Sequence, residues 1–148
     1  MTVLAWDGKR LSADKRVTFG GTILTCTKIE RWNNSIIGFS GDSDLGFALM
    51  SWLKYQGCNP DKFPRGVDKD NWARLLVVNP NRTLHLYERF PEPVVYEPQI
   101  FATGSGMDYA MAVMHMGFDS VKAVEVASAL DPGCGNGIDS LELYGDAL

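Results

Sequence analysis

Apolar and polar positions alternate along the first forty residues, and a helical period replaces that alternation only after Asp44. Thr2 to Trp6 and Lys9 to Asp14 read as strands on either side of Asp7-Gly8, a dipeptide suited to a type I′ turn, in which both central residues take positive φ. Such a hairpin sets Thr2 across from roughly Ala13 and Asp14. Thr22 to Thr27, Lys28 to Trp32 and Ser35 to Phe39 are further strand-like pieces, the last two joined at Asn33-Asn34. Leu45, Leu49, Trp52 and Leu53 then share one helical face, which predicts an amphipathic helix over Ser43 to Gln56 that stops at Gly57.

The stretch from Gly57 to Asp70, broken by Pro60 and Pro64, suits an irregular connection. Trp72 to Val78 and Thr83 to Glu88 predict a hairpin around Asn79-Pro80-Asn81-Arg82, after which Pro91, Pro93 and Pro98 punctuate an extended crossing. Ile100 to Thr103 runs into Gly104-Ser105-Gly106. Tyr109 to Met116 and Ser120 to Leu130 read as helices, the second capped by Asp119, and Ile138 to Tyr144 as a last strand. This order predicts an α+β protein of two sheets covered by helices, in a single domain spanning residues 1–148. It lacks the strict βαβ alternation of a dinucleotide-binding fold.

Composition narrows the function classes. With 45% hydrophobic residues in 148, the chain can bury a core. Fourteen basic against eighteen acidic residues give a net charge of −4, which removes the electrostatic footprint of a general nucleic-acid binder. No apolar run approaches the roughly 18 residues of a membrane span, and no signal peptide is visible at the start. Cys26, Cys58 and Cys134 are too scattered for a disulfide framework, and with His85 and His115 they match no zinc spacing, so a cytoplasmic protein without a metal site is expected.

Among nucleophile candidates, Gly104-Ser105-Gly106 lacks the G-x-S-x-G frame, and Gly133 to Gly137 lacks the lysine of a phosphate loop. The other nucleophile reading is Thr2. Once Met1 is removed, its α-amine can act as the base for its own hydroxyl, since such an amine has an unperturbed pKa near ~7.7–8.0. That chemistry needs a cation, a carboxylate to orient it and an amide for the oxyanion.

Thr2, Ala13-Asp14-Lys15-Arg16-Val17-Thr18, Lys28-Ile29, Ile37-Gly38-Phe39-Ser40-Gly41-Asp42, Thr103-Gly104-Ser105-Gly106-Met107-Asp108-Tyr109-Ala110, and Asp131 with Gly133, Cys134 and Gly135 follow one another in an order that resembles proteasome β-type subunits and the HslV ring protease, members of the N-terminal-nucleophile hydrolases. The resemblance implies a compact version of their four-layer αββα sandwich, with Thr2 as nucleophile, Asp14 and Lys28 as a catalytic pair, and Gly38 as the oxyanion amide. It also implies Ser105 and Asp131 around the threonine amine, Arg16 in support, Thr18 as a substrate-strand contact, and Cys134 where relatives carry serine. Ile36 and Ser40, flanking Gly38 on a strand, are candidate walls of a side-chain pocket, favouring an apolar substrate residue.

The implied activity is a threonine-type peptidase that needs no cofactor. Its implied partners are a polypeptide substrate, further copies in a homo-oligomeric ring or stacked rings and, by analogy, an ATPase unfoldase; neither nucleic acid nor membrane is among them. Two alternatives stay open: a catalytically silent assembly or interaction module, and a small-amide hydrolase of the same superfamily.

Overall fold

The computed structural model describes residues 1–66 and 70–144. Four layers stack in the order helix, sheet, sheet, helices. The first sheet joins β5 (Ile29–Trp32), β6 (Ser35–Gly41), β7 (Ala73–Val78), β8 (Leu84–Tyr87) and β9 (Val94–Tyr96) in sequence order, all antiparallel. The second places β1 (Leu4–Trp6) between β10 (Phe101–Thr103) and β2 (Arg10–Asp14), with β11 (Ile138–Glu142) on the far side of β2. A separate two-stranded ribbon, β3 (Arg16–Phe19) and β4 (Thr22–Thr25), turns at Gly20-Gly21.

Side-chain alternation builds the layers. Along β6, Ile37 and Phe39 face helix α1 (Ser43–Tyr55) and pack with Leu49, Trp52 and Leu53, while Ile36 faces the second sheet and packs with Leu4, Trp6 and Leu11. Along β1, Leu4 and Trp6 join that middle core, whereas Val3 and Ala5 point outward. They meet Ala110 and Met114 of α2 (Met107–His115) and Ala123, Val124 and Ala127 of α3 (Ser120–Leu130). Asp7 locks the β1–β2 turn to this helical layer, because its carboxylate accepts from the amides of Lys9 and Arg10 and from Ser120 N at the start of α3.

The architecture is the expected αββα sandwich. Over the five-stranded sheet, α1 is the one α-helix among the described residues; the connection after it holds only a 3-10 turn at Pro60–Lys62. The α3 limits match the expectation, and Asp119 caps it by accepting from Lys122 N at 2.8 Å. Several local readings change. In the first hairpin only Gly8 takes positive φ (93°) and Asp7 N donates to Arg10 O, so the central pair is Gly8-Lys9 in a II′-like turn, not Asp7-Gly8 in a I′ turn. β3 and β9 are additional strands, β6 continues two residues past Phe39, and α2 starts at Met107. Residues 67–69 of the irregular connection lie outside the described residues.

Gly46 explains how closely α1 sits on the sheet. A Cβ there would lie 2.2 Å from the Phe39 ring, which is itself wholly buried. Alanine is favoured over glycine inside a helix by about 1 kcal/mol, yet Gly46→Ala should lower the unfolding midpoint in urea, because overpacking a core costs about 1–3 kcal/mol.

Candidate functional site

The start of the chain is led between the sheets. β1 pairs with β2 in the register Leu4 to Ala13, Asp14 N donates to Val3 O (3.2 Å), and Thr2, just before the strand, is 1% exposed. Asp14 ends β2 and Lys28 immediately precedes β5, and both side chains are fully buried. Lys28 Nζ lies 2.8 Å from Asp14 Oδ1 and donates to Thr2 Oγ1 at 3.1 Å. Thr2 Oγ1 in turn donates to the Met1 carbonyl at 2.7 Å, and Lys28 reaches the same oxygen at 3.4 Å.

Asp14 is held by more than its cation. Its Oδ1 accepts from Val3 N (3.1 Å), and its Oδ2 accepts from Arg16 N (3.2 Å) and Gly135 N (3.0 Å). Three amides from three segments thus fix one carboxylate and, through it, the ammonium beside Thr2 Oγ1.

The opposite side of Thr2 is built by the helical layer. Thr2 N donates to Ser105 Oγ at 3.2 Å, and Gly106 N donates to Thr2 O at 3.1 Å. Gly104 makes this approach possible: its φ is 101°, and a Cβ would fall 2.1 Å from Thr2 O. Past the end of α3, Asp131 Oδ1 accepts from Gly133 N (2.8 Å) and Oδ2 from Cys134 Sγ (3.4 Å). Burial pushes the Asp131 carboxyl up, but hydrogen bonds from the Ser105 hydroxyl, the Gly133 amide and the Cys134 thiol outweigh it and hold the group below its ordinary value. Burial, then the charges of Asp14 and Asp131, push the Cys134 thiol up to about 12, so it stays a neutral donor. Arg16 braces the loop, with Nη1 on Pro132 O (2.8 Å) and Nε on Asn136 Oδ1 (3.0 Å).

Thr2, Asp14, Lys28, Ser105, Asp131, Arg16 and Cys134 therefore converge on one centre. Beside it lies a cavity of about 330 Å³ lined by Met1, Val17, Thr18, Phe19, Gly41, Asp42, Ser43 and Asp44. Thr18 is in that wall.

Three expected residues are elsewhere. Ile36 is wholly buried in the core between the sheets, so it lines no substrate pocket. Ser40 is also fully buried, with its hydroxyl 3.2 Å from that of Thr103. Gly38 is correct for packing and wrong for an oxyanion. Its missing Cβ makes room for Ile29 and the Lys28 carbonyl. Since Phe39 N donates to Lys28 O, alternation turns the Gly38 N–H into the β7 ladder opposite Leu76. The same alternation points the Gly41 N–H to the side where β5, beginning opposite Gly38, has already ended. Gly41 also lines the cavity, and its φ of 97° and the Trp72 carbonyl, 2.5 Å from where a Cβ would sit, require glycine. The signal missed in the sequence is a glycine at a strand end just before a helix. Among the described residues no cluster of His, Cys, Asp or Glu is arranged to hold a metal ion, and no helix is long and apolar enough to cross a membrane.

The four-layer arrangement is the fold of HslV, that of the N-terminal-nucleophile hydrolases. Solved structures that share it include eukaryotic HslV from Trypanosoma brucei, at TM-score 0.70 and 20% identity over 97% of this chain and 98% of that one. BPH from Thiobacillus denitrificans matches at TM-score 0.64 and 17% identity over 98% and 99% of the two chains, and its complex with epoxomicin at 0.65 and 18% over 97% and 100%. No protein-family model matches the chain, and no curated protein matches it in sequence.

Because the folded Asp131 carboxyl titrates below its ordinary 3.8, its contribution to stability is complete above that value and is lost as the pH falls through the lower folded value. Asp131→Asn should therefore destabilise the protein most well above pH 3.8, with the gap to wild type narrowing in urea titrations as the pH falls below that value.

Proposed function

We propose that the chain is a threonine-type peptidase whose nucleophile is Thr2. The carrying observation is the Lys28 ammonium, 3.1 Å from Thr2 Oγ1 and clamped at 2.8 Å by Asp14, all out of water. While Met1 is attached, the Thr2 nitrogen is an amide with no basic lone pair, so the reaction requires its removal. The freed amine then takes the hydroxyl proton as Oγ1 attacks a peptide carbonyl carbon. Lys28 stabilises the developing charge on Oγ1, and the Gly41 N–H takes the oxyanion role first given to Gly38. Collapse breaks the C–N bond, the amine returns its proton to the leaving nitrogen, and an ester to Thr2 remains. Water, deprotonated by the same amine, cleaves that ester and regenerates the hydroxyl.

The BPH complex with epoxomicin supports trying the same electrophile here. Chain lacking Met1 should gain one inhibitor mass at Thr2, and Thr2→Ser should retain labelling. Chain retaining Met1 and Thr2→Ala should gain none; intact-protein mass spectrometry reads the outcome, and labelling of Thr2→Ala would end this assignment.

The cleft walls also replace the apolar preference drawn from Ile36. Asp42 and Asp44 line the cavity, and no cationic side chain does among the described residues. A substrate with an acidic residue donating the attacked carbonyl should be the poorest in a peptide panel, by about tenfold or more in kcat/KM, because like charges repel across a confined cleft. Asp44→Asn, at an exposed position, should narrow that gap.

A further inference from the structure

Asn136 has no part in the chemistry just described, and at an exposed position both polar atoms of its side chain are hydrogen-bonded. Its Oδ1 accepts from Arg16 Nε (3.0 Å), and its Nδ2 donates to Leu24 O (3.2 Å) and Thr25 Oγ1 (2.9 Å). The amide orientation is forced by chemistry, since a guanidinium only donates and a carbonyl only accepts. Arg16 and Thr25 are cross-strand partners at the base of the β3–β4 ribbon. Asn136 therefore spans both strands of the ribbon whose Val17, Thr18 and Phe19 form one wall of the cleft.

Its own backbone continues into the centre. The preceding residue, Gly135, donates to Asp14 Oδ2 and accepts from Lys15 N at 2.9 Å, and Arg16 holds Pro132 O in the same loop. The ribbon lacks a packed layer of its own: all four residues of β4 are exposed, and Phe19 is 79% exposed. A two-stranded hairpin of this kind is marginal alone. Three hydrogen bonds from one side chain are thus a large part of what ties it to the loop. Asn136 holds φ at 66°, a conformation that asparagine and glycine tolerate better than other residues.

We infer that Asn136 is a positioning residue that couples the cleft wall to the carboxylate holding Lys28, so that seating a peptide along Val17–Phe19 and aligning Lys28 at Thr2 are one event. The kinetic form of this inference rests on the peptidase reading; the mechanical form does not.

Three variants separate the parts. Asn136→Gly keeps the φ and removes the side chain. Asn136→Asp keeps the acceptor for Arg16 and loses the donor to the Leu24 carbonyl. Thr25→Val cuts one bond on the ribbon side without touching the loop. In amide hydrogen exchange on the full chain, all three should speed exchange at Gly135, the amide bound to Asp14, by more than any accompanying loss of global stability accounts for. In Met1-free protein, Asn136→Gly should raise KM and also lower kcat and move its pH profile, for a loss of about three- to tenfold in kcat/KM, the size of a lost hydrogen bond. Asn136→Asp and Thr25→Val should act mainly on KM. Unchanged Gly135 exchange in Thr25→Val, or kinetic losses that only follow the folded fraction, would overturn the coupling. A wild type that cleaves no peptide would instead reject the peptidase reading, and the exchange result would still decide whether the coupling exists.

Discussion

An aspartate and a lysine held wholly out of water constrain this structure more than any other contact. Removing ions of this size from solvent costs several kcal/mol each, and their mutual attraction repays it only when the remaining hydrogen-bonding capacity is also satisfied. Asp14 meets that condition by accepting from Val3 N, Arg16 N and Gly135 N besides the Lys28 ammonium. Those amides belong to the start of β1, the start of β3 and the loop after α3. One carboxylate thus requires the first residues, a turn and a late loop to meet, and that requirement draws the beginning of the chain between the sheets.

The layers make the meeting place. The middle core of Leu4, Trp6, Leu11, Ile36 and Leu76 presses the sheets together, and β1 presents Val3 and Ala5 to the helices from its other face. The α2–α3 layer can then deliver Gly104 to Gly106 on one side of Thr2 and Asp131 to Gly135 on another. Small residues permit the close approach: a Cβ at Gly106 would be 3.0 Å from Val3 Cβ and 3.1 Å from Cys134 Sγ.

Much of this was legible in the sequence because it is carried by short runs. Turn and period signals place Thr2 and Asp14 on facing arms of one hairpin and set the strand and helix ends within a residue or two, whereas the roles of Lys28, Ser105 and Asp131 were implied by the resemblance that their short motifs carry. What failed depends on details that no local pattern carries. Whether Gly38 or Gly41 presents a free amide turns on where β6 outlasts β5, which is set by pairing with β7. Ile36 and Ser40 are buried because a second sheet covers that face of β6, a tertiary fact. β3 has the alternation of a strand but little burial to betray it, and the partners of Asn136 lie more than a hundred residues away.

The two sides of Thr2 are also electrically unlike. The ammonium of Lys28 stands on the hydroxyl, while the Asp131 carboxyl, kept ionised by its three hydrogen bonds, stands behind Ser105 on the side of the nitrogen. In the proposed reaction a proton leaves Oγ1 and arrives on the amine, so a cation at the origin and an anion near the destination both favour the transfer. Serine or cysteine next to Asp131 serves this arrangement equally in charge, since the Cys134 thiol, held up to about 12, does not ionise. What the fold supplies at Thr2 is therefore a gradient across a single residue, and it persists only while Asp14 keeps Lys28 on the hydroxyl side.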